Sequence, residues 1–584
     1  MDTTIPPKQK RRSVVHHYFK RMYTLKASDA FLLKLSLFST ALFLILILIQ
    51  VSTSYTERVA KSGGVYVEGI LGTPRFANPV LAVTRADKDL TTLIYDGLMT
   101  LGPDGMLIPN IAESVTVSDD GLTYNVLLKQ SVQFHDGTPL TARDVVFTFN
   151  RIQDPVLGSP LRTNFEGITI EEVGDYELNF ILPEAYSPFI ENLTFGILPE
   201  NIWKDAGSEE FPFSQYNSEP IGSGPYQIDK IIRNTSGIPE TYVLNANKQY
   251  FAGAPKIATI ELHFFPTEEK LAEAFSQKLI QSVAAVDANK VASYMEKDTS
   301  HHLERISLPR TIGVFFNQNK STALRDPAAR NALNEMIDRD ALITQVLNGY
   351  GNALTSPVPP GFGFDTTQTT NTAHGDVDTA RDILRNGGWT FNDGTQLWEK
   401  DIDGSPASLS FSLATVNNSG FEATAEFLRN AWQSLGVPVT IKQFEQTDLT
   451  QGIIRPRDYE ALLFGTHLGR SFDYYSFWHS SQRNNPGLNI ALYANITVDS
   501  ILSEMRRSTN TQSRTDTIKR FNEEIQKETP ALFLYAPELL YVFPNNIHDA
   551  HFNGISEPHE RFMGVQHWYI ETEAVWPFFT KKTQ

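Results

Sequence analysis

The chain has 584 residues, 41% of them hydrophobic and 11% aromatic, which describes an ordered protein too long for one core and excludes a disordered chain. It contains no cysteine, which excludes disulfides, thiolate metal sites, a cysteine nucleophile and a lipid-modified N-terminal cysteine. The net charge of −17 is unevenly placed: residues 1–61 hold ten basic and three acidic side chains (+7) and the rest hold 40 and 64 (−24), so the body is a poor partner for nucleic acid.

Residues 1–30 are polar and basic and read as a cytoplasmic tail. Residues 31–51, Phe31 to Val51, form an apolar run of 21 residues with one charge, Lys34. As a helix this run spans about 31 Å, enough for a bilayer core. Its basic flank is N-terminal, so the N-terminus is expected in the cytoplasm and the remainder outside, in the periplasm or at the cell surface. A cleaved signal peptide is the alternative, although the run exceeds the usual ~7–15 apolar residues. Residues 52–62 read as a short polar tether.

A strand is expected from Gly63 to Gly69, followed by the loop Pro74-Arg75-Phe76-Ala77-Asn78-Pro79. Asp87 to Leu101 reads as a helix. Turns are expected at Pro103-Asp104-Gly105, Asp119-Asp120-Gly121 and Asp136-Gly137, with strands Thr123 to Leu128 and Ser131 to Phe134 between them. Thr141 is placed to cap a helix carrying Val145, Phe149 and Ile152 on one side, with Asp144 as its acidic capping partner. Gly167 to Ile181 alternates as two strands around Gly174-Asp175, and Pro183 to Leu198 reads as apolar helix. Gly222-Ser223-Gly224 does not satisfy the nucleophile-elbow pattern and reads as a turn leading into a strand. Ile257 to Phe265 alternates as a strand, and Thr267 to Leu279 reads as a helix.

Leu308 to Asn317 reads as a strand, Asp326 to Asp340 as a helix, and Asp401-Ile402-Asp403-Gly404 as a hairpin turn that lacks the later ligands of a calcium loop. Strand Leu409 to Thr415, helix Glu422 to Leu435 closed by Gly436, and strand Val437 to Gln443 form a β-α-β unit, which implies a parallel sheet. Tyr459 to Phe464 is a further strand, Thr511 to Glu528 a helix, and Pro530 to Val542 an apolar strand region. His548 and His551 lack an acidic partner at metal-site spacing, and neighbouring His301 and His302 point apart on a helix, so no metal or other cofactor is expected. No Ser/His/Asp set or carboxylate pair marks a hydrolase, and no catalytic residue is assigned.

Read together, Glu113-Ser114, Ser118-Asp119-Asp120-Gly121, Thr123-Tyr124, Phe134-His135-Asp136-Gly137, Pro139, Thr141-Ala142, Asp144-Val145 and Asp154-Pro155 resemble the signature of the family 5 extracellular solute-binding proteins, the receptor subunits of ABC importers. Gly222-Ser223-Gly224-Pro225-Tyr226, Arg330 to Arg339 and Pro357-Val358-Pro359-Pro360 resemble further marks of that family. The resemblance implies an α/β, two-lobed periplasmic-binding-protein fold with an additional inserted lobe, preceded here by the transmembrane helix. Lobe I would take residues 63–100, 221–310 and 540–584, inserted lobe II residues 101–220, and lobe III residues 311–539. It further implies binding, not catalysis: a peptide captured by lobe closure and delivered to an ABC permease. The alternative cargo is an oligosaccharide, an opine-like compound or a metal chelate. A sensor module is disfavoured, because the N-terminal tail holds no signalling domain.

In peptide-binding members an aspartate in one loop pairs with the ligand's α-amino group. Aligned through Asp473 and Ser476-Phe477, that position falls on Arg470, which would repel an ammonium and attract a carboxylate or phosphate. Asp473 either substitutes for the missing aspartate or matches a second, structural one that caps the next turn. The remaining ligand-binding candidates are Phe76, Asn317, Thr466, His467 and Tyr474, and His135 is expected to be structural.

Overall fold

The computed structural model describes residues 26–55, 57–295, 299–359, 375–470, 472–508 and 511–575. Most of the basic tail and the last nine residues lie outside them. Residues 1–61 with 571–584 form one unit and residues 62–570 another.

The smaller unit holds the helix Ala27–Tyr55, 29 residues long. Its Ser28–Ile47 span is long and apolar enough to cross a membrane, and Phe31, Phe38 and Phe43 are exposed along it. The helix outruns the expected span by four residues at each end. The expected tether is also corrected. Glu57–Lys61 is a strand, paired antiparallel with Glu571–Val575 so that Lys61 faces Glu571 and Glu57 faces Val575.

The larger unit is built on a twelve-stranded mixed sheet. From one edge its main path runs Tyr226–Arg233, Pro239–Ala246, Ile257–Phe265, Gly63–Leu71, Ser282–Ala284 and the long strand Ala531–Pro544. It continues through Arg310–Phe316, Ala461–His467, Phe411–Val416 and Val439–Phe444. The 14-residue strand Ala531–Pro544 belongs to both halves. Residues 538–544 pair with His301–Ser307, and residues 531–535 pair with Arg310–Phe316. Leu308-Pro309 and Pro537-Glu538 therefore lie at the same level of the sheet, where the halves join. The expected parallel β-α-β unit forms, with Phe411 opposite Val439, and its helix Ser419–Leu435 ends on Gly436 at φ 89°, a left-handed position that suits glycine.

Side-chain alternation explains how the sheet is covered. Ile312, Val314, Phe316, Leu532 and Leu534 face one core, shared with the helices Pro327–Glu335, Arg339–Leu347 and Ser419–Leu435. Phe315, Ala531 and Phe533 face another, under Ile496–Arg507 and Thr511–Glu528. Buried arginines tie these layers together. Arg330 donates to the carbonyls of Leu324, Arg325, Glu528 and Thr529, and Arg339 to those of Leu354 and Phe533. These bonds are the physical content of the Arg330-to-Arg339 motif.

Residues 112–181 add a four-stranded antiparallel sheet, Ala112–Val117, Thr123–Leu128, Glu177–Ile181 and Thr169–Gly174. Its buried face, including Tyr124, Val126 and Phe180, packs with the helix Ala142–Gln153 and joins one apolar core with Tyr66, Phe543 and Trp568. Thr141 N donates to Asp144 Oδ2 at 2.8 Å, the expected box. The two strongest family marks interlock: His135 N donates to the Gly222 carbonyl, and His135 Nε2 lies 3.0 Å from the Gly224 carbonyl. His135 is thus structural.

Four expected elements differ. The helix near Asp87 is Arg85–Ile94, ends on the extended Tyr95 and is followed by a strand at Met99–Leu101, with Gly97 between them passing against the Thr194 backbone, which a Cβ there would meet at 2.6 Å. Pro183 to Leu198 holds only the short helix Phe189–Asn192, since Pro188 disfavours helix at Ser187 and Pro199 at Leu198. Asp326 to Asp340 is split, with Asp338 capping a new helix through Ala341 N. Ser131 to Phe134 makes only an isolated bridge, Gln133 to Pro139.

Candidate functional site

A cavity of about 230 Å³ opens in the larger unit. One wall is the helix Arg85–Ile94 and its end, presenting Lys88, Thr91, Tyr95 and Asp96. A second wall comes from Leu161, Glu191, Thr194 and Phe195, and a third from Glu557, His559, Glu560 and Phe562. Asn110 and Tyr250 complete it near Asp96.

The helix is held at its N-terminus by Asp87. The amides of Arg75 and Phe76 donate to Asp87 Oδ1 at 2.6 and 2.8 Å, and Thr84 and Asp87 form a capping box. The third wall is held by Arg561. This fully buried guanidinium donates to Glu68 Oε1 at 2.7 Å and to Asp89 at 2.7 and 2.8 Å. Tyr66 and Tyr541 donate to the other Glu68 oxygen. Burial works to lower the Arg561 pKa, but Asp89 and Glu68 outweigh it and raise it. A buried cation held by two carboxylates fixes the residues beside it, His559 and Phe562 among them.

The charges on the cavity wall are mostly matched. Lys88 Nζ lies 2.5 Å from Glu557 Oε2, and His559 Nδ1 lies 3.4 Å from the same atom. Burial favours the neutral Glu557 carboxyl, but His559 and Lys88 prevail and hold it below the usual carboxylate range. Asp96 differs. Its pKa is pushed up to about 7 by burial, which outweighs hydrogen bonds from Asn110 and Tyr250 and the charge of Lys129.

The end of strand Ala461–His467 and the loop after it reach the segment that forms the third wall. His467 Nε2 lies 3.0 Å from the Ser556 carbonyl, and Arg470 Nε donates to the Gly554 carbonyl at 3.0 Å. Arg470 Nη2 lies 2.5 Å from Glu560 Oε2, an ion pair set off hydrogen-bond alignment. Burial favours the neutral Glu560 carboxyl, yet Arg470, His559 and the Ser556 amide lower its pKa overall. Further along the loop, Arg506 grips Asp473 through Nε at 3.0 Å and Nη2 at 2.6 Å, while the Tyr186 hydroxyl donates to Asp473 at 3.3 Å. Tyr475 N also donates to Asp473, the turn cap expected of a structural aspartate.

The seven candidate residues separate. Thr466 and His467 end the strand, Arg470 and Asp473 lie on the loop after it, and the partner of Arg470, Glu560, lines the cavity. Arg470 is not an open anion site, because its charge is met by Glu560. Phe76 lies under Arg75, at 4.9 Å, and packs on the core. Asn317 is buried at the opposite end of its strand from Thr466: Thr311 pairs with Thr466, whereas Asn317 N donates to Glu460 and its side chain to the Arg457 carbonyl. At ~3.3 Å per residue this end is about 20 Å away. Tyr474 is 0% exposed and packs on Phe521 in the core, with its hydroxyl toward the Pro357 carbonyl. None of the seven candidates lines the cavity.

Lys88, Asp96, Glu191 and Glu557 were not among the sequence candidates. Their only sequence signal is a charged residue amid apolar ones, as in Tyr95-Asp96-Gly97-Leu98. Among the described residues, no group of three or more His, Asp or Glu is arranged to hold a metal.

Comparison with known proteins places the chain. It is 25% identical over 522 residues to the oligopeptide-binding protein AppA of Bacillus subtilis, covering 87% of this chain and 92% of AppA. It is 25% identical over 474 residues to the glutathione-binding protein GsiB of Salmonella paratyphi A, covering 78% and 85%. The solved structure of B. subtilis AppA in complex with a nonapeptide superposes with a TM-score of 0.65 at 25% identity, over 88% of this chain and all of that one. HbpA2 of Haemophilus parasuis shares the fold at a TM-score of 0.74 and 20% identity, over 87% of this chain and all of that one. Residues 106–487 match the family described as bacterial extracellular solute-binding proteins, family 5. That match, on a fold shared end to end with AppA, makes this chain a member of the family 5 bacterial extracellular solute-binding proteins.

Proposed function

We propose that the chain is a membrane-anchored receptor that captures peptides by closure over the cavity and delivers them to the permease of an ABC importer. One observation carries this reading. The loop bearing Arg470 and Asp473 reaches across to Gly554, Tyr186 and Glu560, the last of which is part of one wall of the cavity. Such contacts between elements far apart in sequence are what a closed, ligand-sequestering state needs. The division into lobes I, II and III given above is part of this reading. So is the N-terminal helix as an uncleaved anchor with a cytoplasmic N-terminus, supported by its length and its basic flank. Binding rather than catalysis is the role.

Peptide cargo is favoured by the relatives' names, oligopeptide-binding and glutathione-binding. The argument for anionic, non-peptide cargo rested on Arg470 and loses its support once that charge is paired with Glu560. The test is native mass spectrometry of the full chain purified from its own cells in detergent. Co-purifying peptides of mixed mass support the reading, and a single non-peptide species overturns the cargo class. Retention in the membrane fraction after alkaline washing, at the full chain mass, supports the anchor, and a shortened soluble form overturns it.

A further inference from the structure

The smaller unit brings two distant parts of the chain together beside the apolar helix. The apolar run ends at Val51, and the helix continues to Tyr55, four residues or about 6 Å further. With the run in a bilayer, Tyr55 comes to the depth of the headgroups, which add about 5–8 Å on each side of a ~30 Å core. The strand Glu57–Lys61 starts two residues later. Its antiparallel partner Glu571–Val575 runs the opposite way and returns the chain to the helix end, with Val575 opposite Glu57. Paired α-carbons in such a ladder are about 4.5–5.5 Å apart, and two extended residues span at most about 7 Å. Val575 is therefore within about 13 Å of Tyr55.

The sequence that follows Val575 is Trp576-Pro577-Phe578-Phe579-Thr580-Lys581-Lys582. Three aromatic rings are followed by two lysines, and residues 576–584 hold no acidic side chain, in contrast to the acidic body before them. Tryptophan collects at headgroup depth, where its ring is apolar and its N–H stays wet, and phenylalanine buries its ring at the same boundary. Lysines beside that layer are drawn to anionic lipid. In water the same run would expose aromatic surface that soluble proteins seldom leave uncovered. Phe578 and Phe579 follow Val575 by three and four residues, about 10–14 Å of extended chain, which covers the return to the depth of Tyr55.

We propose that residues 576–582 make a second membrane contact, with Trp576, Phe578 and Phe579 seated at the headgroup level of the outer leaflet beside the anchor helix, and Lys581 and Lys582 against anionic lipid. The partner is the bilayer that holds the helix, and the inference rests on the anchor reading above.

The chain has no cysteine, so one introduced thiol is labelled uniquely. The full chain is reconstituted in nanodiscs of phosphatidylcholine and phosphatidylglycerol with a nitroxide on Phe578→Cys. Its accessibility to oxygen, which concentrates in lipid, is compared with that to a water-soluble nickel chelate. Leu42→Cys, exposed on the helix, supplies the lipid value, and Ser236→Cys, on an exposed turn, the water value. The expected oxygen-to-nickel ratio at 578 is several-fold above the water value. Thr580→Cys, which keeps all three rings, should fall between the two references. Added to Thr580→Cys, Lys581→Glu with Lys582→Glu should lower its ratio more in these discs than in phosphatidylcholine alone, and an equal effect in both overturns the role given to the lysines. Oxidation of a Val59→Cys, Glu573→Cys pair to a disulfide checks the register, and its failure to form overturns the strand pairing and the contact with it. A full-length chain in the discs with both 578 and 580 at the water value overturns the tail contact and leaves the anchor standing. Recovery of a shortened, water-soluble chain overturns the anchor itself.

Discussion

Arg470 and Glu560 meet at 2.5 Å with side chains only 11% and 8% exposed, joining a loop of the second half of the sheet to the C-terminal segment that walls the cavity. Removing one member of so buried a pair leaves the other unmatched. Arg470→Ala should therefore cost about 3–5 kcal/mol in urea unfolding, and the double replacement by methionine considerably less. Arg470→Asp should weaken cargo binding instead of creating an amine site, because it sets a carboxylate against Glu560.

Arg561 should be still less replaceable. It is fully buried and answers both Glu68 and Asp89. Arg561→Met strands two carboxylates, and a loss of about 3–5 kcal/mol is expected in the same assay. Binding should fall with it, since His559 and Phe562 on either side line the cavity.

Gly222 and Gly224 are fixed by close approach. A Cβ on Gly222 would lie 2.0 Å from the Ile94 carbonyl oxygen, and one on Gly224 would lie 2.5 Å from the Ile94 carbonyl carbon. Gly222→Ala should lower stability by at least ~1–3 kcal/mol, measured as a drop in Tm. Ser223→Ala removes only a 3.3 Å bond from the Asp96 amide and should cost about 1 kcal/mol.

Asp96 predicts a pH dependence whose sign follows from proton counting. Its folded pKa, about 7, lies above the unfolded value near 4, so between these values the folded chain holds a proton that the unfolded chain has released. Stability from this group is present below pH ~4 and is lost as pH rises toward 7, by on the order of 4 kcal/mol. Its charged and titratable neighbours are Lys129, Tyr250 and Tyr95, and the two tyrosines stay neutral across this window because burial raises both. Asp96→Asn should flatten the slope of unfolding free energy against pH.

Much of the scaffold was legible because its signals are local. Turn residues, the box at Thr141 and Asp144, and the alternation of Ile257–Phe265 each act within a few residues. The helix errors arose where local and distant demands diverge. Pro183 to Leu198 has the apolarity of a helix but the prolines of a loop, and the segment after Ile94 is redirected by packing of Gly97 on Thr194. The site was less legible for the same reason. Arg470 by type alone suggests an anion, and its partner lies 90 residues further on. The cavity walls come from three distant segments, none with a periodic signature. Tyr474 sits beside true loop residues in sequence, yet packing turns its ring into the core.

The strand Ala531–Pro544 carries one more implication. Where the two halves of the sheet join, both segments carry a proline: Pro309 between His301–Ser307 and Arg310–Phe316, and Pro537 within Ala531–Pro544. Neither proline has an N–H, so this level of the ladder is short of two donors; Gly351–Ala353 pairs with residues 535–537 there, and the register shifts between Ile312 and Gly313. A twist concentrated there sacrifices few backbone bonds. On the receptor reading proposed above, the timing of opening is governed by how long Arg470 and Asp473 hold on, and residence time becomes a property of two side-chain clusters rather than of the sheet.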